Sequence, residues 1–156
     1  MLMDAEWITQ ACQDAEIQRW TLVPRPYKQE HALGFIDNTI NEAHRWVIEQ
    51  QGTNEAVGVV GIHTIDLDTG DADTGYWIAP WGRRRGAATY ALLLVEQFAV
   101  TIPSIKFLSA HIAETNVASR ATASRAGFIN MGSAQEPCPD GKNLVPALTY
   151  IKYLTR

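Results

Sequence analysis

Two spacings of apolar residues along the chain predict two kinds of element. Apolar positions three and four residues apart predict helices at residues 4–15 (residues 17–20 extending it or forming a second turn), 28–43, 86–100 and 116–126. Alternating and β-branched runs predict strands at residues 45–50, 56–65, 72–79, 105–112, 128–134 and 145–154. A polar loop at residues 136–143 joins the last two strands. This order predicts an α/β fold in which helices flank a mixed central sheet.

Length and charge narrow the class of protein. The 156 residues predict one domain, spanning residues 1–156. A formal charge of −4 argues against nonspecific nucleic-acid binding, and no apolar run approaches the roughly 20 residues of a membrane span. No signal peptide is indicated at the N-terminus. Cys12 and Cys138 lack metal-ligand spacing, so we expect a cytoplasmic protein without a metal, although two cysteines leave a disulfide open.

Candidate chemistry is concentrated between Gly75 and Leu94. An aromatic strand ends at Pro80, and three arginines, Arg83 to Arg85, precede a helix that begins with small residues. Three adjacent arginines alone are more often a solvated turn. Here the following helix adds free backbone N–H groups and the positive end of its dipole, so the stretch predicts a phosphate site.

These residues resemble a known family. The run Arg83-Arg84-Arg85-Gly86-Ala87-Ala88 resembles the acetyl-CoA pyrophosphate loop of the GNAT superfamily of N-acetyltransferases, with the pattern Gln/Arg-x-x-Gly-x-Gly/Ala. Residues 75–80 resemble the fourth strand of that family. Asn116-Val117-Ala118-Ser119 and Gly127-Phe128 resemble the Asn-x-x-Ser and Gly-Phe signature of its ribosomal-protein N-terminal acetyltransferase (Rim-type) branch. The resemblance covers nearly the whole chain and implies the GNAT fold.

The resemblance also implies a role for each matching residue. Backbone groups of Trp77, Ile78 and Ala79 would pair with the pantetheine arm, and the N–H of Ile78 would face the thioester carbonyl. The pyrophosphate would be held by the Arg83 side chain and by backbone N–H groups of Arg84, Arg85, Gly86, Ala87 and Ala88. Asn116 would hydrogen-bond the pantetheine arm, although alone it reads as a helix N-cap. Ser119 would protonate the leaving thiolate, although a helical serine more often bonds the local backbone.

The general base is less well specified. Asp73 lies on the strand where many relatives carry an acidic residue, and Glu136 opens the late loop where Rim-type enzymes place a candidate glutamate. His63 and Asp66 end the preceding strand. We expect Glu136 ahead of Asp73. The four histidines show no ligand spacing, which favours surface or core roles for each. A simple core or interface role stays open for Tyr76 and Trp77, and Trp81 is interpreted in that way.

Two departures from the family pattern stand out. Many acetyltransferases carry a tyrosine general acid seven residues after the asparagine, where this chain has Ala123, so Ser119 or a water must supply that proton. The family also usually opens with a strand, whereas this chain begins at a helix. Since bare sheet edges are normally covered or paired, we expect another segment or a second subunit, as in a homodimer, to cover this edge.

The leading functional hypothesis is therefore an acetyl-CoA-dependent N-acetyltransferase whose acceptor is a protein N-terminal α-amine. A second hypothesis keeps the chemistry and changes the acceptor to a small amine such as an amino acid, polyamine or antibiotic. A third is a non-catalytic CoA-binding module, since a tyrosine acid and an unmistakable base are lacking. In each case the ligand is acetyl-CoA as co-substrate, or CoA itself, and no metal.

Overall fold

The chain folds into a mixed sheet with helices on both faces, which confirms the predicted class. The computed structural model describes residues 2–37 and 41–156. In these residues the helices are α1 (Leu2–Ala11), α2 (Ala15–Trp20), α3 (Gln29–Ile36), α4 (Ala87–Val100) and α5 (Val117–Arg125), and Pro80–Gly82 form a 3₁₀ turn. The strands are β1 (His44–Glu49), β2 (Ala56–Asp66), β3 (Asp71–Ile78), β4 (Phe107–Ala113), β5 (Ile129–Ser133), β6 (Cys138–Asp140), β7 (Asn143–Val145) and β8 (Ala147–Tyr153).

Six strands form the central sheet, in the order β1-β2-β3-β4-β8-β5. The pair β3–β4 is parallel and the other neighbours are antiparallel. A parallel pair needs a crossover connection, and α4 supplies it. The sheet is therefore mixed, as predicted, with its one parallel pair at the centre.

Two sequence predictions need correction. The helix predicted over residues 28–43 ends at Ile36, where the N–H of Asp37 closes the last turn onto Leu33 O, and residues 38–40 of that prediction lie outside the described part of the chain. The predicted loop at residues 136–143 contains β6 and the start of β7, which pair as a small antiparallel sheet of their own. The polar composition of that segment hid a hairpin whose strands have three residues each.

The sheet is buried on both faces by different helices. On one face α4 and α5 close a core around Ile62, Leu92 and Leu108, which are essentially inaccessible to solvent. On the other face α1 to α3 pack on β3, and the Trp7 and Trp77 rings lie 5.6 Å apart. Alternate residues of β3 therefore face opposite helical layers.

The outer edge of β1 has no strand beside it in the described part of the chain, where α1 is the first element. That another segment or a second subunit covers this edge stays a prediction. Among residues 2–37 and 41–156, no helix is both long and apolar enough to cross a membrane.

Candidate active site

The parallel strands β3 and β4 separate in the middle of the sheet. They pair only from Asp71↔Phe107 to Asp73↔Ser109, although β3 continues to Ile78 and stays paired with β2 as far as Ile78↔Gly58. One edge of β3 beyond Asp73 therefore borders an opening instead of a neighbouring strand. An extended ligand could take the place of the missing strand along that edge.

Strand alternation decides which backbone groups face this opening. The N–H of Ala79 donates to Val57 O at 2.8 Å, and Ala79 O accepts from Gly82 N at 2.9 Å. Since successive residues of a strand direct their backbone groups to opposite edges, Trp77 also faces β2, whereas Tyr76 and Ile78 face the opening. In this structure the backbone groups of Trp77 and Ala79 are therefore turned to β2 and the 3₁₀ turn, and their contact with a ligand stays a prediction. The structure leaves the predicted N–H of Ile78 facing the opening.

The basic turn after β3 presents unused N–H groups. Arg84 and Gly86 both have left-handed backbones, with φ of 63° and 74°, and α4 starts directly after Gly86. No acceptor in residues 2–37 or 41–156 receives a hydrogen bond from the N–H groups of residues 84–88. These groups lie at the N-terminus of a 14-residue helix, beside the exposed Arg84 and Arg85 side chains. The arrangement fits a pyrophosphate.

Arg83, the first arginine of the turn, contacts a carboxylate. Its guanidinium forms an ion pair with Asp14, with Nη1 3.3 Å from Oδ1, and Asp14 also caps α2 by accepting from Ile17 N at 3.0 Å. Burial raises the pKa of Asp14, but the bonds from Arg83 and Ile17 outweigh burial and hold that pKa below its ordinary value. In this structure Arg83 therefore ties the basic turn to α2, and its contact with a pyrophosphate stays a prediction.

The double role of Asp14 makes a stability prediction. We expect Asp14→Ala to lower the free energy of unfolding by about 1–2 kcal/mol, because it removes an N-cap and leaves Arg83 unpaired. Since the pKa of Asp14 is lowered on folding, its contribution is present above the unfolded pKa of about 3.9 and is lost as the pH falls through the folded value. In urea unfolding, the difference in free energy of unfolding between wild type and Asp14→Ala should be present at neutral pH and disappear in acid. The exposed Asp68→Ala is the matched control, and an equal loss there would contradict the assignment.

On the other face of the sheet, a hydroxyl of α5 contacts a hydroxyl of β3. Asn116 Oδ1 caps α5 by accepting from Ser119 N at 3.2 Å, which confirms the N-cap reading and leaves its Nδ2 to donate elsewhere. Ser119 Oγ lies 2.8 Å from Tyr76 Oη. Burial raises the pKa of Tyr76, partly offset by hydrogen bonds with Ser119 and Thr122. The phenol of Tyr76, on β3, thus contacts α5. This is the helix in which Ala123 stands where many acetyltransferases carry a tyrosine.

The α1–α3 face of the sheet carries two histidine–carboxylate pairs beside the opening. His111 Nδ1 lies 3.1 Å from Asp73 Oδ1, and His63 Nδ1 lies 3.2 Å from Glu42 Oε1. These carboxylates raise the pKa of each histidine, against the opposing effect of burial. No spacing in the sequence indicates these pairs, since each joins residues that are distant in the chain.

The β6–β7 hairpin borders the same face. Cys138 Sγ approaches His111 O at 3.7 Å, and Asp140 accepts from Arg19 Nε at 2.7 Å and from Thr115 Oγ1 at 2.8 Å. Glu136 lies just before β6 with an exposed side chain that no hydrogen bond or ion pair links to another described residue. The structure therefore brings Asp73 to the opening, and the role of Glu136 as the base stays a prediction.

The chain belongs to the GNAT acetyltransferase family. The family profile described as the acetyltransferase (GNAT) domain matches residues 2–129. The protein is accordingly an N-acetyltransferase that uses acetyl-CoA. The opening beside β3 and the free N–H groups of residues 84–88 fit the two parts of that co-substrate, its pantetheine arm and its pyrophosphate.

Individual relatives agree with the family and differ in substrate. The uncharacterized N-acetyltransferase YoaA of Bacillus subtilis is 25% identical over 134 residues, which are 83% of this chain and 76% of that protein. The RimL ribosomal L7/L12 alpha-N-protein acetyltransferase, solved with coenzyme A, superposes with a TM-score of 0.80 at 20% identity, covering 99% of this chain and 90% of its own. The spermidine N-acetyltransferase from Vibrio cholerae, solved with CoA and spermine, superposes with a TM-score of 0.79 at 17% identity. The match covers 97% of this chain and 90% of the other. At these identities the structural likeness shows the fold, and the Rim-type branch stays a prediction.

Across residues 2–37 and 41–156, no group of three or more His, Cys, Asp or Glu is placed to hold a metal ion.

Proposed function

We propose that this N-acetyltransferase acetylates the α-amine of protein N-termini. The carrying observation is the openness of the acceptor face, where His63 and His111 keep 43% and 41% of their side-chain surface exposed and Asp73 keeps 30%. A peptide needs such an open approach, whereas a small amine suits a closed pocket. The fold shared with an alpha-N-protein acetyltransferase supports the same choice.

The charges of this face suit an ammonium group. Glu42, Asp71 and Asp73 supply carboxylates close to the separation of β3 and β4. An α-amine, with a pKa near 7.7–8, also needs far less help to lose its proton than a lysine, near 10.4. A site without a strong base therefore favours α-amines.

The reaction needs no enzyme nucleophile. The neutral amine attacks the thioester carbon, a C–N bond forms, and the C–S bond breaks. In this proposal the Ile78 N–H stabilises the oxyanion, and the Ser119–Tyr76 hydroxyl pair gives the leaving sulfur a proton. The N–H groups of residues 84–88 hold the remote phosphates, whose binding energy positions the thioester.

We propose a cytoplasmic location. Cys12 and Cys138 are unpaired, which supports the expected reducing, cytoplasmic environment.

The test is an acceptor screen with acetyl-CoA. We expect thiol release with peptides that have a free N-terminus, and no release when the same peptides are N-terminally blocked but retain lysine. Spermidine and an aminoglycoside are included, because the carboxylates of the acceptor face would also attract small polycations. Turnover of those amines alone would contradict a protein acceptor, and acetyl-CoA binding without turnover of any amine would indicate a non-catalytic module.

A further inference from the structure

The side chain of His111 spans the point where β3 and β4 separate. His111 lies on β4, two residues beyond Ser109, which is the last β4 residue that pairs with β3. Its Nδ1 lies 3.1 Å from Oδ1 of Asp73, which is on β3. The imidazole therefore reaches from one strand to the other at the mouth of the opening, and 41% of its side-chain surface stays accessible to solvent.

The bond to Asp73 fixes which ring nitrogen is available. A carboxylate accepts hydrogen bonds, so the neutral imidazole of His111 carries its proton on Nδ1 and keeps its lone pair on Nε2. No hydrogen bond from residues 2–37 or 41–156 occupies this Nε2. His63 differs, because its Nε2 is pressed onto Gly75, where an added Cβ would collide with it. Of the two histidines on this face, His111 is the one that combines an unoccupied Nε2 with an exposed ring.

The two faces of the sheet separate His111 from the hydroxyl pair. The neighbours of His111 on β4, Ala110 and Ile112, belong to the core closed by α4 and α5, so His111 lies on the α1–α3 face. Tyr76 packs against that core, where its hydroxyl contacts Ser119. A base on one face and an acid on the other suit a reaction in which the amine enters from one side and the sulfur leaves towards the other.

We propose that His111 Nε2 is the general base that takes the proton of the acceptor ammonium, directly or through one water, and that Asp73 is the positioning residue that holds the tautomer of the ring. This inference rests on the proposed function and names a residue for its proton transfer. An imidazole, with an ordinary pKa of about 6.5, suits this transfer near neutral pH far better than a carboxylate of about 4. Asp73 thus keeps a part in the proton transfer as the partner of the imidazole.

The proton balance is complete within the site. The ammonium gives one proton to Nε2 of His111, and the nitrogen lone pair set free forms the C–N bond. As the C–S bond breaks, the nitrogen loses its second proton to water and the sulfur takes one proton from the Ser119–Tyr76 pair. That pair regains its proton from water. His111 finally releases its proton to solvent, so the enzyme returns to its starting state.

Distance along the strands is compatible with this path. Continuing the register Asp73↔Ser109 places His111 level with Gly75, three residues before Ile78, which is about 10 Å along β3. An amine about 3–3.5 Å from a carbonyl carbon held near the Ile78 N–H, plus one bridging water, covers that length.

The groups around His111 favour its charged form. The hydrogen bond from Asp73 raises the pKa of His111, burial opposes it, and the charges of Asp73 and Asp71 raise it further. The β8 residue opposite His111 is the uncharged Thr149. The other titratable groups that face it are His63 from β2 and Cys138 from β6, whose Sγ approaches the His111 carbonyl. Burial raises the pKa of the Cys138 thiol, which therefore stays neutral.

The kinetic test compares His111→Gln with His31→Gln. His31 Nδ1 accepts from Lys28 N at 2.9 Å in a capping box, where glutamine serves equally, so this control should retain wild-type turnover. We expect His111→Gln to lower kcat about tenfold to a hundredfold, with the Kd for acetyl-CoA unchanged. The loss lies at or below the low end for a general base, because an α-amine with a pKa near 7.7–8 is partly neutral already.

Imidazole added to His111→Ala separates a lost base from a disturbed fold. The exposed position leaves a free imidazole access to the space of the missing ring, so it should restore part of kcat with a dependence on its neutral form. The same addition should leave His31→Gln unchanged. A His111→Gln enzyme with wild-type kcat would overturn the inference.

The pH profile adds a readout that a merely structural role would not move. The base must be neutral, so wild-type kcat should fall as the pH drops through an apparent pKa above the ordinary histidine value of about 6.5, and His111→Gln should lack this limb. Asp73→Asn removes the charge that raises this pKa, so its limb should move to lower pH. Two acceptors with different amine pKa values separate the limb from the substrate's own titration. A limb that is unchanged in both variants would overturn the assignment.

Nitrogen-15 NMR of histidine-labelled protein tests the tautomer without turnover. Neutral His111 should carry its proton on Nδ1, and its titration should follow the kinetic limb. A proton found on Nε2 would overturn the inference alone. A wild-type enzyme that acetylates no amine would overturn the proposed function as well, so the two failures are distinguishable.

Discussion

Replacing Ser119 with alanine is expected to lower kcat about 10²-fold, one of the two largest effects we predict for this enzyme. The reason is that we propose Ser119 Oγ, 2.8 Å from Tyr76 Oη, as the hydroxyl that protonates the departing sulfur. Tyr76→Phe keeps the ring and removes the second hydroxyl, so it should lower kcat by a smaller factor. Steady-state thiol release measures both.

The same helix offers a control for this loss. Ser124 is exposed on α5, and Ser124→Ala should retain wild-type kcat. Ser119→Thr keeps a hydroxyl and should recover part of the rate. The Kd for acetyl-CoA should stay unchanged in all four variants, since none of them alters residues 84–88. Full activity in Ser119→Ala would show that the sulfur does not need the Ser119 hydroxyl for its proton.

Substituting Gly86 is expected to weaken acetyl-CoA binding about tenfold to a hundredfold. Gly86 has a φ of 74° at the start of α4, and a Cβ there meets no protein atom within 4 Å. The fold therefore has room for alanine, at a cost of about 1–2 kcal/mol for the left-handed backbone. The added methyl instead occupies space through which a phosphate approaches the N–H groups.

Gly132→Ala separates backbone strain from ligand exclusion. Gly132 also has a positive φ, of 100°, with no protein atom within 4 Å of an added Cβ, but it lies on β5 at the far edge of the sheet. Both variants should lose similar stability in urea unfolding, and only Gly86→Ala should lose affinity in titration calorimetry. If Gly86→Ala and Gly132→Ala bound acetyl-CoA with equal affinity, the basic turn would not be part of the binding site.

Local chemistry made the co-substrate side of the site predictable. Gly86 and the small residues after it define an anion site within one short stretch, because the loop, the dipole and the free N–H groups are neighbours in sequence. The Asn116 cap was readable for the same reason. Sequence alone does not separate Ile78 from Trp77 and Ala79, since the alternation of backbone groups cannot be assigned a phase until the pairing with β2 is known.

The acceptor side depends on contacts between distant residues, and sequence patterns predicted less of it. Tyr76 meets Ser119 across 43 positions, and His63 meets Glu42 across 21. The bulge at His63 adds one residue to β2, and the pattern of apolar residues does not predict it. Glu136 was preferred because of its place in the chain, yet the hairpin that follows it leaves its side chain in solvent.

A structure of the enzyme with acetyl-CoA tests the central claim most directly. The account predicts that the pantetheine arm lies between β3 and β4, with the thioester oxygen about 2.7–3.1 Å from the Ile78 N–H. The pyrophosphate should accept from N–H groups of residues 84–88. Acetyl-CoA bound elsewhere, or a thioester beyond hydrogen-bond reach of Ile78, would contradict it.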